Sequence, residues 1–253
     1  MEQLKNLETL RLEVRGLVEP YVRGLLAATG DAITCVMVFG SATGPDFLPG
    51  HSNINVALLV RDINYDFLKK CLKHVSAASK KRIVAPLLLT RKYIDTSLDV
   101  FPIEFFDIFE TGVVLYGENP LANVTFNDSS LRLESEQQLK GSLLRIRQAY
   151  LELGLVKRGL EKVLGESLNS LIPVFRAMLV LKGMRPPRGK KDIVSSMSDV
   201  FGVDPGVFTK ILKLKLEMNH VPPEAEEQIF RDYMKNIEDL ALAVDAFRTQ
   251  EKP

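Results

Sequence analysis

The residues best suited to chemistry are Ser41, Asn53, Asn55 and Glu104. Gly40-Ser41 closes a short apolar run, Ile33 to Phe39, which reads as a buried strand. A second strand runs from Asn53 to Val60. Side chains alternate along a strand, so Asn53 and Asn55 point to one face and Ile54 and Val56 to the other. Two polar residues at the head of an otherwise apolar strand are unusual for packing alone. The stretch Pro102 to Phe109 (PIEFFDIF) reads as a further strand, with proline at its first position. On it Glu104 shares a face with Phe106 and Ile108, and a carboxylate so flanked is costly unless it is paired or used. Ser41, Asn53, Asn55 and Glu104 are therefore expected to converge at the edge of one sheet. The plainer alternative is that Asn53 and Asn55 end a loop by bonding to backbone, as asparagine does in turns.

The elements that must position these residues follow from periodicity. Residues 4–28 carry leucines, valines and Tyr21 at spacings of three and four, the pattern of an amphipathic helix. After the second strand, residues 64–79 repeat Phe67, Leu68, Cys71, Leu72 and Val75 at helical spacing. Arg82 to Thr90 reads as a third strand, Tyr93 to Leu98 as a helical turn, and Val113 to Tyr116 as an extended run closed by Gly117. That order is a mixed α/β sheet domain over residues 1–122. From residue 123 a polar linker leads to a half with almost no strand signal. Helices are expected over 131–153, 155–182, 191–200, 205–219 and 223–249, an antiparallel helical bundle occupying residues 123–253.

Composition narrows the class. The chain has 253 residues, 46% hydrophobic and 26% charged, enough to bury a core and too apolar for a disordered chain. Lys plus Arg is 33 against 32 for Asp plus Glu, so no global field points to nucleic acid or to an anionic membrane. Cys35 and Cys71 lack metal-ligand spacing and read as reduced thiols. The amino terminus, Met1-Glu2-Gln3-Leu4, does not read as a signal peptide, and no apolar run of membrane-spanning length stands out, so a cytoplasmic protein is expected. The one basic cluster, Arg185 to Lys191, could meet a triphosphate or an RNA backbone. No aromatic residue is interleaved to stack on bases, so a solvated loop is the simpler reading. Lys69, Lys70 and Lys73 read as a solvated helix face, and His51 as a solvated turn histidine.

The stretch Phe39-Gly40-Ser41 through Ser52-Asn53-Ile54-Asn55-Val56 resembles the signature of the DNA polymerase β-like nucleotidyltransferase superfamily. The resemblance covers about residues 30–120, and Phe105 to Gly117 is similar to the sequence that closes the domain in that family. It implies that Gly40 and Ser41 form the turn that contacts a nucleotide's phosphates. It implies that Asn53 and Asn55 stand where the family has a metal-binding Asp-x-Asp pair, and that Glu104 matches the third acid, a metal ligand or a base on the attacking hydroxyl. Nucleotidyl transfer relies on two Mg²⁺ ions about 3.5–4 Å apart. Mg²⁺ favours carboxylate oxygens, whereas an asparagine amide offers one neutral oxygen and a competing NH₂. Asp46, Asp99 and Asp107 are the acids that could substitute.

The expectation is a nucleotide-binding protein of this superfamily with a degenerate metal site and weak or absent catalysis. Its partner would be a nucleoside triphosphate, with Mg²⁺ only if it is active. The alternatives are an active nucleotidyltransferase acting on a hydroxyl of a small molecule, RNA or protein, and a non-catalytic interaction protein whose bundle meets a protein partner.

Overall fold

A computed structural model describes residues 3–153, 159–217 and 223–247 of the chain. The expectations for Met1-Glu2, for the break at 154–158 and for the last helix beyond 247 lie outside the described residues. The chain divides into two compact units, Met1–Leu98 with Glu104–Thr125, and Asp99–Ile103 with Phe126–Pro253.

The first unit is built on a four-stranded mixed sheet. Its strands are β1 (Ile33–Phe39), β2 (Asn55–Val60), β3 (Leu87–Leu89) and β4 (Val113–Gly117), in the spatial order β3-β2-β1-β4. β1 is antiparallel to both β2 and β4, while β2 and β3 are parallel. A parallel pair needs a crossover. Helix α2 (Tyr65–Ser79) supplies it, opened by the Asn64 side chain, which accepts the Phe67 amide at 2.9 Å. Helix α1 (Leu12–Thr29) turns Val14, Val18, Tyr21, Val22, Leu25 and Leu26 into the core at the three- and four-residue spacing of its sequence. These residues pack with Val36, Val38, Ile54, Val56 and Leu58 of the sheet and with Phe67 and Cys71 of α2. Each such aliphatic side chain stabilises the fold by roughly 1.5–3 kcal/mol relative to exposure. Pro20 stays inside α1 without ending it.

Two stretches depart from their expected form. Pro102 to Phe109 is not a strand but the body of helix α4 (Pro102–Thr111), which follows a short helix α3 (Arg91–Asp95). The apolar run satisfies either period. The ends decide: Pro102 needs no amide partner at a helix start, Glu104 complements the helix dipole, and the Ile103 amide is capped by the Glu134 carboxylate at 2.8 Å. The expected third strand, Arg82 to Thr90, is paired only at Leu87–Leu89 and at a lone bridge between Ile54 and Ile83.

The second unit is all-helical, with α5 (Asp128–Leu153), α6 (Leu160–Leu181), α7 (Lys190–Phe201), α8 (Pro205–Glu217) and α9 (Pro223–Asp245). α6 lies among α5, α7, α8 and α9. It is long and apolar enough by composition to cross a membrane, contrary to the expectation that no such run exists. Its apolar residues serve instead as the centre of this unit, where Leu164, Leu168, Leu171, Phe175 and Leu179 are buried. A seam of hydroxyls, Ser142 to Ser167 at 2.8 Å and Ser167 to Tyr233 at 2.9 Å, ties α5, α6 and α9 in one register. In the basic cluster, Lys190 is committed to the Asn169 side chain at 2.6 Å, and buried Arg176 donates to the Arg188 carbonyl at 3.5 Å.

β4 ends where the backbone of Gly117 takes a φ of +71°, and a β-carbon there would stand 1.9 Å from the Thr34 carbonyl oxygen. Only glycine fits both the left-handed backbone and the close approach. Gly117→Ala is therefore expected to lower the stability of this unit by roughly 2–4 kcal/mol. Urea unfolding followed by circular dichroism measures this; an unchanged midpoint would contradict the close β1–β4 approach.

Candidate functional site

The candidate site begins at the end of β1. Phe39 pairs with Asn55, so the strand ladder itself brings the head of β2 beside the Gly40-Ser41 turn. Gly40 leaves the strand with φ +74°, and a β-carbon on it would stand 3.2 Å from Asn55 Nδ2. The left-handed backbone favours glycine there, and the Asn55 amide packs closely over it. A short 3₁₀ turn, Gly40–Thr43, follows. The expected alternation holds: Ile54 and Val56 are buried, Asn53 is exposed and Asn55 half-buried on the opposite face.

The turn is held from behind by the end of α4. The Thr111 hydroxyl accepts the Gly40 amide at 2.9 Å and donates to the Asp107 carbonyl at 2.6 Å. The Thr43 hydroxyl donates to Gly40 or Thr111 carbonyl oxygens, at 2.8 and 2.7 Å. The Gly40 amide is therefore spent inside the protein. The Ser41, Asn53 and Asn55 side chains, by contrast, make no hydrogen bond to any other described residue. The backbone bonds that would make the two asparagines simple turn residues are absent among the described residues.

The loop between turn and strand is also fixed. Phe47 is buried and anchors it in the core. The Arg11 guanidinium donates to the carbonyls of Pro45 and Phe47, at 3.0 and 3.4 Å. The Ser52 hydroxyl accepts the Leu48 amide at 3.0 Å. Such ties limit the freedom of the segment that presents Asn53 and Asn55.

Glu104 does not join this group. In the first turn of a helix rather than on a strand, it lies seven residues before Thr111, about 10 Å along the helix axis. Its side chain is exposed and leans further toward the helix start. The buried acid of α4 is Asp107, which a strand reading places on the face away from Glu104. On the helix Asp107 precedes Thr111 by one turn, on the same face, and is 9% exposed. The signal for it was the helix start at Pro102 and the stop at Gly112, read together with the four-residue spacing. Asp46 is half-buried in the loop, and Asp99 belongs to the other unit. Arg82, to which the sequence alone gives no reason to look, sits beside the head of β2 and donates to the His51 carbonyl at 2.6 Å.

These donors do not suit a two-metal seat. Asn53 and Asn55 are neutral, Glu104 is set back on α4, and the described residues contain no group of three or more His, Cys, Asp or Glu able to hold a metal ion. The thiols offer nothing in its place. Burial pushes the Cys35 thiol up to about 12 and raises that of Cys71, so both stay protonated and weakly nucleophilic.

No protein-family model matches the chain, and no curated protein matches its sequence. Solved structures do match its fold. The spectinomycin adenyltransferase AAD(9) from Enterococcus faecialis, solved with ATP and spectinomycin, superposes with a TM-score of 0.59 at 9% identity, covering 88% of this chain and 98% of that one. A nucleotidyltransferase-like protein from Exiguobacterium sibiricum 255-15 is matched over 89% of this chain and 75% of its own, at 14% identity and a TM-score of 0.34. The chain thus has a nucleotidyltransferase-like architecture, a mixed α/β sheet followed by an all-helical bundle.

Proposed function

We propose that this protein binds a nucleoside triphosphate at the Gly40-Ser41 turn, through Ser41, Asn53 and Asn55, without a two-metal centre and with little or no nucleotidyl transfer. The observation that carries this reading is the Phe39–Asn55 pairing, which sets an unbonded amide against the turn. The fold of AAD(9), which was solved with ATP, supports a nucleotide as the ligand class. The charge balance supports the loss of transfer chemistry. Phosphoryl transfer depends on neutralising charge as the leaving oxygen departs, and two neutral amides cannot hold the cations that do so. What amides and a hydroxyl can do is donate to phosphate oxygens.

Titration calorimetry of the full chain with ATP tests this directly. Binding is expected with chelator present, and added Mg²⁺ should not tighten it; an affinity that rises strongly with Mg²⁺ would refute the metal-free site. Ser41→Ala and Asn55→Ala should each weaken ATP by about three- to tenfold, the range of a single neutral hydrogen bond. A second expectation concerns the missing charges. Asn53→Asp with Asn55→Asp should create Mg²⁺-dependent ATP binding, because the two side chains share a face. A double variant that folds, by circular dichroism, yet gains no Mg²⁺ dependence would show that the two side chains do not serve one site.

A further inference from the structure

Arg82 has a conformation that its residue type disfavours. Its φ is +61°, and among the described residues only Asn6 is also a non-glycine residue with positive φ. Asparagine tolerates this region, but for an arginine the left-handed backbone carries strain that the surroundings must impose. They do so from several sides. The Arg82 amide donates to the Ser79 carbonyl at 3.0 Å, its carbonyl accepts the Ile54 amide at 2.9 Å, and the Val84 amide donates to the Ile54 carbonyl at 3.0 Å.

The consequence is a definite placement. Ile54 and Ile83 form a parallel bridge and both are 1% exposed, so they share the buried face. Of the residues that flank them, Asn53 is exposed and Asn55 half-buried on one side, and Arg82 and Val84 are exposed on the other. The hydrogen bond from Arg82 Nη2 to the His51 carbonyl, at 2.6 Å, fixes the guanidinium at the Asn53 end. Among the described residues its remaining N–H groups make no hydrogen bond and no carboxylate pairs with it. A strained, exposed cation without a counter-charge among the described residues thus stands next to the segment that presents Asn53.

We infer that Arg82 supplies the positive charge that a metal ion supplies elsewhere, receiving the phosphate chain of the nucleotide. This rests on the nucleotide-binding reading of the Ser41, Asn53 and Asn55 site and adds to it the basis of its selectivity. A guanidinium fork matches two phosphate oxygens at once. With the asparagine amides and the Ser41 hydroxyl it forms a set of donors around one fixed cation, suited to an anion and unsuited to a metal. Affinity should therefore grow with the number of phosphates, and Mg²⁺ should weaken binding by neutralising the charge that Arg82 reads.

Metal-free calorimetry of the full chain with AMP, ADP and ATP, for wild type, Arg82→Gln, Arg82→Lys and Arg82→Gly, tests the inference. Arg82→Gln should weaken ATP by about tenfold or more and flatten the preference for ATP over AMP. Arg82→Lys should keep part of both. Arg82→Gly suits the backbone, so it should hold or raise the melting temperature while ATP affinity falls. Wild-type ATP affinity and ATP/AMP ratio in Arg82→Gln would overturn the role of Arg82; if Ser41→Ala still weakens ATP, the nucleotide site itself stands. A uniform loss across the three nucleotides with a lower melting temperature in every variant would make Arg82 structural only and overturn it as well. A wild type that binds none of the three would remove both readings.

Discussion

The antiparallel pairing of β1 with β2 governs everything at the candidate site. Because a strand has a period of two, one register decides which side chains are buried and which are offered. With Phe39 opposite Asn55, the apolar set Ile54, Val56 and Leu58 packs against α1 and α2, and the polar set Asn53 and Asn55 is left on the other face. A slip of one residue would bury both asparagines and expose the valines. The core of the unit and its site are therefore held by the same hydrogen-bond ladder. The Thr111 hydroxyl then fixes where the chain goes next, by taking the Gly40 amide.

That arrangement leaves two neutral amides, not carboxylates, at the head of β2 beside the Gly40-Ser41 turn. An acid pair at positions 53 and 55 would repel phosphate unless cations bridged them, and the cations would do the chemistry. Two amides reverse the preference, since they can donate to phosphate directly and attract no metal strongly. The half-buried setting of Asn55 favours this role, because a hydrogen bond out of bulk water is worth more than one in it. Asp107, one turn before Thr111 on α4, is a single buried carboxylate.

Much of this was legible in the sequence. The strand Ile33–Phe39, the turn at Gly40-Ser41 and the shared face of Asn53 and Asn55 follow from apolar runs, glycine and alternation, all of which are local. Helix α2 and the helical second unit follow from three-and-four spacing over long stretches. The stretch Pro102 to Phe109 was not legible, because Ile103, Phe105, Phe106 and Ile108 fit a buried helix as well as a strand. Its state is decided by distant partners, the Glu134 carboxylate at one end and the Gly40 amide at the other. Arg82 was hidden for the same reason. Its left-handed backbone closes the turn after α2 and is also held by the bridge between Ile54 and Ile83, residues far apart in the chain, and an arginine there does not announce it. The apolar run of α6 shows the converse: composition alone does not separate a core helix from a membrane span.

The most direct measurement is a crystal structure of the full chain grown with ATP and a chelator of divalent cations. The phosphate chain should lie within hydrogen-bond distance of Ser41 and Asn55, at the head of β2 next to Asn53. ATP bound elsewhere on the chain, or bound at this turn only when Mg²⁺ is restored, would contradict a metal-free phosphate site.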